Sequence, residues 1–130
     1  MPDSPAALVR EFHATFGVPI RETPTLADRR EAWARHRLLF DEVREVAEAI
    51  VDGSLPEIAQ ELADCVYVLY GTALVYGIDL DAVLAEVHRA NMSKLDADGR
   101  PLLREDGKVL KSALYRAPDV AGVLAGAAAW

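Results

Sequence analysis

The stretch LFDEVREVAEAIVDGSLPEIAQELADCV, residues 39–66, decides the fold. Its middle reads as a stop followed at once by a start. Gly53 ends one helix, Ser54 caps the next, Pro56 suits a first turn, and Glu57 stands where a capping box needs its returning carboxylate. On both sides apolar residues recur at three- and four-residue spacing with nothing to break a helix. Two helices joined by so short a turn are predicted to form an antiparallel hairpin.

Working outward, Thr25 to Asp28 resembles a capping box, so the helix that ends at Gly53 is predicted to be the longest. Ser4 and Pro5 open a short first helix that Gly17 stops. Downstream, helix three is expected to reach about Gly77, and Asp79 to cap a fourth helix running to about Leu95. Turn signals then crowd together, and residues 96–118 are expected to be mostly loop, with at most a short extended piece at Lys108 to Leu110. Ala121 to Trp130 is a small-residue run that reads as a weak last helix. The expected fold is all-α: an antiparallel four-helix-type bundle with a mostly irregular C-terminal segment.

With 130 residues, 52% of them apolar, the chain suits one core and a single domain, residues 1–130. Fourteen basic against 21 acidic side chains give a net charge of −7, which disfavours nucleic acid as a partner. A metal-chelated anion remains compatible, because divalent cations reverse the sign of an acidic cleft locally. Cys65 is the sole cysteine, so no internal disulfide forms and a reducing cytoplasm is the expected compartment. The N-terminus lacks a basic region followed by an apolar stretch and does not read as a signal peptide. The longest apolar run, Val66 to Ile78, is 13 residues, short of the roughly 20 that span a bilayer, so no membrane partner is expected.

At about 100° per residue, helix two has a predicted core stripe of Leu39, Val43, Val46 and Ile50, with Glu42 and Glu45 beside it. Arg35 and Leu38 line up with these acids, and Glu48 falls opposite the core. Helix three repeats the plan: Ile58, Leu62, Cys65, Leu69 and Tyr76 form the stripe, and Glu61 and Asp64 sit at the corresponding edge. A single Glu-x-x-Glu on a helix is ordinarily a solvated pair. Two acid pairs facing each other across a hairpin repel strongly when ionised, and a cation relieves that repulsion. Oxygen ligands with no Cys or His at ligand spacing favour magnesium, or manganese in its place, over zinc.

Helix four begins its stripe with Leu80, Leu84 and Val87 and continues it with Asn91 and Lys94. An amide and an ammonium there suit an anionic, sugar-bearing ligand, or serve as caps of the helix end. Lys108 and Lys111 follow in the loop and could screen a phosphate chain. His13, His36 and His88 are scattered and read as packing or surface residues, and Cys65 as a buried thiol. Both central helices also carry a second apolar face, Trp33, Phe40 and Ala47 on one, Ala63, Tyr67, Tyr70 and Leu74 on the other. A homodimer is therefore expected, a tetramer being compatible with the same stripes.

The order Asp41-Glu42-Val43-Arg44-Glu45, then Glu61-Leu62-Ala63-Asp64, resembles the EExxE and ExxD signature of the MazG-like all-α nucleoside triphosphate pyrophosphohydrolases. His88-Arg89-Ala90-Asn91-Met92-Ser93-Lys94 and Asp106-Gly107-Lys108-Val109-Leu110-Lys111 resemble further segments of that superfamily, especially of its small dimeric dUTPase-like members. The resemblance implies hydrolysis between the α- and β-phosphates, giving a nucleoside monophosphate and pyrophosphate. It implies Glu42, Glu45, Glu61 and Asp64 as magnesium ligands, Asn91 on sugar or phosphate, and Lys94, Lys108 and Lys111 on phosphate oxygens, with Arg35 as a helper. Two places depart from the pattern. Asp41 stands where the first Glu is usual, as outer ligand or general base. Ser112-Ala113-Leu114-Tyr115 replaces Gly-Pro-Asn-Tyr, so only Tyr115 carries over as a substrate contact. The alternatives are a phosphoribosyl-ATP pyrophosphohydrolase and, in a different class, a non-catalytic helical metal-binding or interaction module.

Overall fold

The computed structural model describes residues 4–127. Its elements are α1 (Pro5–Phe16), α2 (Arg29–Asp52), α3 (Leu55–Tyr76), α4 (Leu80–Met92), the strands β1 (Leu102–Leu103) and β2 (Val109–Leu110), and α5 (Val120–Ala127). The two strands form one antiparallel hairpin, pairing Leu102 with Leu110 and Leu103 with Val109. The fold is all-α with an irregular C-terminal segment, as the periodicity requires. The chain divides into two compact units, Met1–Ile78 and Asp79–Trp130.

In the first unit α2 and α3 form the antiparallel hairpin and α1 packs on α3. Ser54 caps α3 by accepting from the Glu57 amide at 3.4 Å, with its hydroxyl on the Glu57 carboxylate at the same distance. The start of α2 differs from expectation. Asp28, not Thr25, is the cap, accepting from the Glu31 amide at 2.8 Å. Thr25 instead gives its amide to the Tyr76 carbonyl at 2.8 Å.

That exchange belongs to a larger closure of the C-terminal end of α3, whose last carbonyls lack partners within the helix. The Arg21 amide donates to Leu74 O at 2.9 Å, and its guanidinium donates to Val75 O at 2.6 Å while gripping both oxygens of Glu31 at 2.7 and 2.9 Å. A cation there also opposes the negative end of the helix dipole. Gly77, in the left-handed region at φ 68°, ends the helix so tightly that a Cβ would stand 2.0 Å from Thr23 O.

The buried faces of the hairpin differ from the predicted stripes. Val43, Ile50, Leu62 and Leu69 are exposed. The inner seam carries Arg35, Glu42, Glu45, Val46 and Ala49 on α2 and Glu61, Asp64, Val68, Gly71 and Val75 on α3, all buried or half-buried. Each helix has two apolar sides, and helical phase alone does not say which of them a chain buries within itself. Here the small and ionisable residues face inward, and Trp33, Phe40, Val43, Ile50, Leu55, Leu62, Val66 and Leu69 remain exposed. α3 is long and apolar enough to cross a bilayer by length and composition, more than the 13-residue run suggested, yet the seam that pairs it with α2 carries Glu61 and Asp64.

In the second unit α4 ends at Met92 rather than Leu95, with Ser93 as its cap, and α5 packs on it. The run expected to form the last helix begins one residue earlier, at Val120, and residues 128–130 lie outside the described residues.

The two left-handed glycines that stop helices, Gly17 and Gly77, predict different costs. Gly17, at φ 72°, has open space around a Cβ, so Gly17→Ala should cost about 1–2 kcal/mol from backbone strain alone. Gly77→Ala adds a collision with the Thr23 backbone and should cost clearly more than that, on the order of 3 kcal/mol. Urea denaturation of both variants checks this, and equal losses would contradict the closure described.

Candidate active site

Glu42 and Glu45 lie one helical turn apart on α2, and Glu61 and Asp64 do so on α3, so an antiparallel pairing brings the four together. Glu42, Glu45 and Glu61 each offer a carboxylate oxygen within 4.8 Å of the others, and all three are half-buried. Asp64, also half-buried, bears on both Glu42 and Glu61 through its charge. Glu42 Oε2 and Glu61 Oε2 are closed to solvent, and no donor among the described residues reaches them.

The electrostatics follow from this crowding. Burial first, then the charges of Glu45, Asp64 and Asp41, push the Glu42 carboxyl above its ordinary range. Glu61 is raised first by burial, then by the close approach and charge of Glu45 and by the charges of Asp64 and Glu42. Two buried acceptors without donors, in an all-oxygen set, fit a hard divalent cation.

Asp41 is not brought into this group. It is exposed, pairs with Arg44 at 3.6 Å, and lines a cleft of about 230 Å³ with Trp33, His36, Arg37 and Phe40. Arg35 lies on the inner seam, half-buried beside His13 and Gly71.

Within the second unit, Asn91 and Lys94 line a groove of about 370 Å³ with Met92, Leu95, Pro101 and Val109. Lys108 is exposed at the hairpin, its amide on the Asp106 carboxylate at 3.2 Å. The Lys111 ammonium lies 4.8 Å from the centre of the Tyr115 ring, a cation–π contact. Glu86 and Arg89 of α4 and its cap Ser93, to which the sequence assigned no role, hold this segment. The Glu86 carboxylate accepts from the Asp119 amide at 2.9 Å, and the Arg89 guanidinium donates to the Ala117 carbonyl at 3.2 Å. Ser93 Oγ accepts from the Arg116 amide at 2.9 Å. Ser112 adds a bond from its hydroxyl to Leu95 O at 2.7 Å. The Glu-x-x-Arg spacing of Glu86 and Arg89 was a visible signal, but their backbone partners some thirty residues on carry none.

The sequence profile of the phosphoribosyl-ATP pyrophosphohydrolase family matches residues 9–91. The chain belongs to this family. The match includes the four seam carboxylates, Arg35 and Asn91, and stops short of Lys94, Lys108, Lys111 and Tyr115. The family, described by a pyrophosphohydrolase activity on a nucleotide, is related to the MazG-like all-α enzymes. A protein of Acanthamoeba polyphaga mimivirus described as uncharacterized protein L479 is 30% identical over 108 residues, covering 80% of this chain and 41% of that protein. The chain thus spans about two fifths of the length of this relative.

The raised carboxyls predict a pH dependence in metal-free protein. A carboxyl whose folded pKa exceeds its unfolded value binds more protons folded than unfolded between the two, so stability falls as pH rises through that window. Glu61→Gln removes the charge, so in EDTA the variant should be more stable than wild type at pH 8. The difference should shrink as pH falls toward the ordinary carboxylate range, near 4.3. Thermal melts at pH 5 and pH 8 read this, and a variant less stable at pH 8 would contradict the assigned repulsion.

Proposed function

We propose that the chain hydrolyses a (deoxy)nucleoside triphosphate between its α- and β-phosphates, with dUTP as the first substrate to test. Water forms the new bond to the α-phosphorus, the bond to the bridging oxygen breaks, and the products are nucleoside monophosphate and pyrophosphate. The observation that carries the reading is the trio Glu42, Glu45 and Glu61 within 4.8 Å, two of them with oxygens closed to solvent and lacking donors.

Glu42, Glu45, Glu61 and Asp64 are the residues that would hold magnesium, with manganese as a substitute. Bound there, the ion would neutralise phosphate charge and lower the pKa of a water. Asp41 is retained as the proton acceptor suggested by its place in the motif, and to act it has to leave Arg44. The family resemblance supports Asn91, Lys94, Lys108, Lys111 and Tyr115 as nucleotide contacts. The Lys111–Tyr115 stack and the groove at Asn91 and Lys94 supply chemistry of the right kind. The reading requires neither nucleic acid nor a membrane, and it places the enzyme in the cytoplasm with Cys65 reduced.

A homodimer belongs to the same reading. Trp33 at 62% and Phe40 at 66% exposure, with Val43 and Ile50 on the flank of α2, make an apolar surface that a second copy would cover. A tetramer would cover the α3 face as well.

A second substrate has a specific observation behind it, since the matching family is described by phosphoribosyl-ATP. Pyrophosphate release with magnesium across dUTP, dCTP, dATP, dGTP, TTP, ribonucleotides and phosphoribosyl-ATP decides between them. Glu45→Ala and Asp64→Ala should each lose about a thousandfold or more in kcat/KM, the worth of several kcal/mol of transition-state stabilisation. Full activity in both variants would overturn the site. Magnesium binding without turnover of any nucleotide would favour the non-catalytic helical module instead.

A further inference from the structure

One cation on the inner seam is not accounted for by the carboxylates. The Arg35 guanidinium is half-buried, its pKa is lowered by that burial alone, and no acceptor among the described residues takes a hydrogen bond from it. The nearest acid on its own helix, Glu31 one turn back, has both oxygens committed to Arg21. Glu42, seven residues on, is about 10 Å along the helix axis, too far to pair. A guanidinium removed from water without a partner is costly, and an anion arriving from outside relieves that cost.

The surroundings hold this side chain in place. Gly71 on α3 faces it: a Cβ there would meet Arg35 Nη1 at 3.0 Å and His13 Nε2 at 2.8 Å, so both groups occupy the space a side chain would fill. His13 on α1 is 3% exposed. Its Nδ1 lies 3.0 Å from the Pro19 carbonyl, which can only accept, so Nδ1 carries the proton and Nε2 presents a lone pair at the shared space. Burial and the neighbouring Arg35 charge lower the His13 pKa and keep the ring neutral, so it adds no second cation. α1, α2 and α3 thus each contribute one residue to a preorganised position for a single guanidinium.

The seam therefore has opposite demands at two places. Glu42 and Asp64 mark the end that calls for a cation, and Arg35 opposite Gly71, one heptad along each helix, marks the end that calls for an anion. A polyphosphate chain chelating a metal at one end satisfies both. We propose that Arg35, positioned by His13 and by the absent side chain of Gly71, receives the phosphate farthest from the metal and retains the pyrophosphate product. The proposal rests on the function stated above and names the part of the substrate that this chain selects: the length of its phosphate tail.

The test is the inhibition constant for pyrophosphate together with KM and kcat, measured with magnesium on wild type, Arg35→Gln, Arg35→Lys and Gly71→Ala. Arg35→Gln should raise KM and the pyrophosphate inhibition constant together by about ten- to a hundredfold, the range for one hydrogen-bonded charge. Arg35→Lys should recover part of the loss. Gly71→Ala, which keeps the charge but fills its space, should move both constants in the same direction while circular dichroism and Mn²⁺ affinity stay as in wild type. Wild-type constants in folded Arg35→Gln and Gly71→Ala would overturn the proposal. So would a change of oligomeric state with an unchanged inhibition constant, which would mean that Arg35 meets a carboxylate of a second copy. If wild type turns over no nucleotide, the proposed function fails by itself. Calorimetry of pyrophosphate with magnesium on wild type and Arg35→Gln then still decides the receptor: tenfold or greater weakening supports it, and equal affinity overturns it.

Discussion

The mutual repulsion of carboxylates across the α2–α3 seam is the constraint around which the first unit is organised. Isolated acids on a helix surface relax into water, but Glu42, Glu45 and Glu61 converge within 4.8 Å with two oxygens sealed from it. Holding that arrangement needs rigidity on both sides. The Ser54 cap sets the tight turn at one end of α3, and the Arg21–Glu31 grip on Val75 O closes the other. Small residues contribute: Ala49 and Gly71 are buried on the seam, where larger side chains would crowd the packing.

Much of this was written in local sequence. Helix starts at Ser4, Ser54 and Asp79 and stops at Gly17, Gly53 and Gly77 are read from cap chemistry that needs no tertiary information. The pairing of Glu42 and Glu45 with Glu61 and Asp64 followed from their spacing about a tight turn. The buried face did not follow, because both central helices are apolar on two sides and the wheel favoured bulk: Val43 and Ile50 over Ala49, Leu62 and Leu69 over Gly71. The α2 cap was misplaced for a related reason. Thr25 carries the cap chemistry but is drawn to the end of α3, a contact between residues fifty apart in the chain. Of the His13–Arg35–Gly71 group only Arg35 is marked in the sequence, by its alignment with the acids of α2; its meeting with His13 and Gly71, from two other helices, carries no local signal.

The second unit shows a different economy. Its groove and its Lys111–Tyr115 stack rest on little core, and Glu86 and Arg89 of α4, with its cap Ser93, hold the backbone of Arg116, Ala117 and Asp119 through side-chain hydrogen bonds. Such polar fastening specifies position with little buried apolar area, and it suits the proposed role of the exposed lysines as contacts for an anion. The family match covers the carboxylates and ends at Asn91. Under the proposed function the hydrolytic chemistry would sit on α2 and α3, inside the matched range, and the region beyond would carry a substrate preference peculiar to this chain.

The central claim is that the seam carboxylates bind a divalent cation as a set. Mn²⁺ titration followed by electron paramagnetic resonance, on wild type and on the double variant Glu42→Gln with Glu61→Gln, tests it without any assumption about substrate. The account predicts saturable loss of the free-ion signal in wild type, competed by magnesium, and its disappearance in a double variant that remains folded. Equal Mn²⁺ binding by both proteins, or none by wild type, would contradict it.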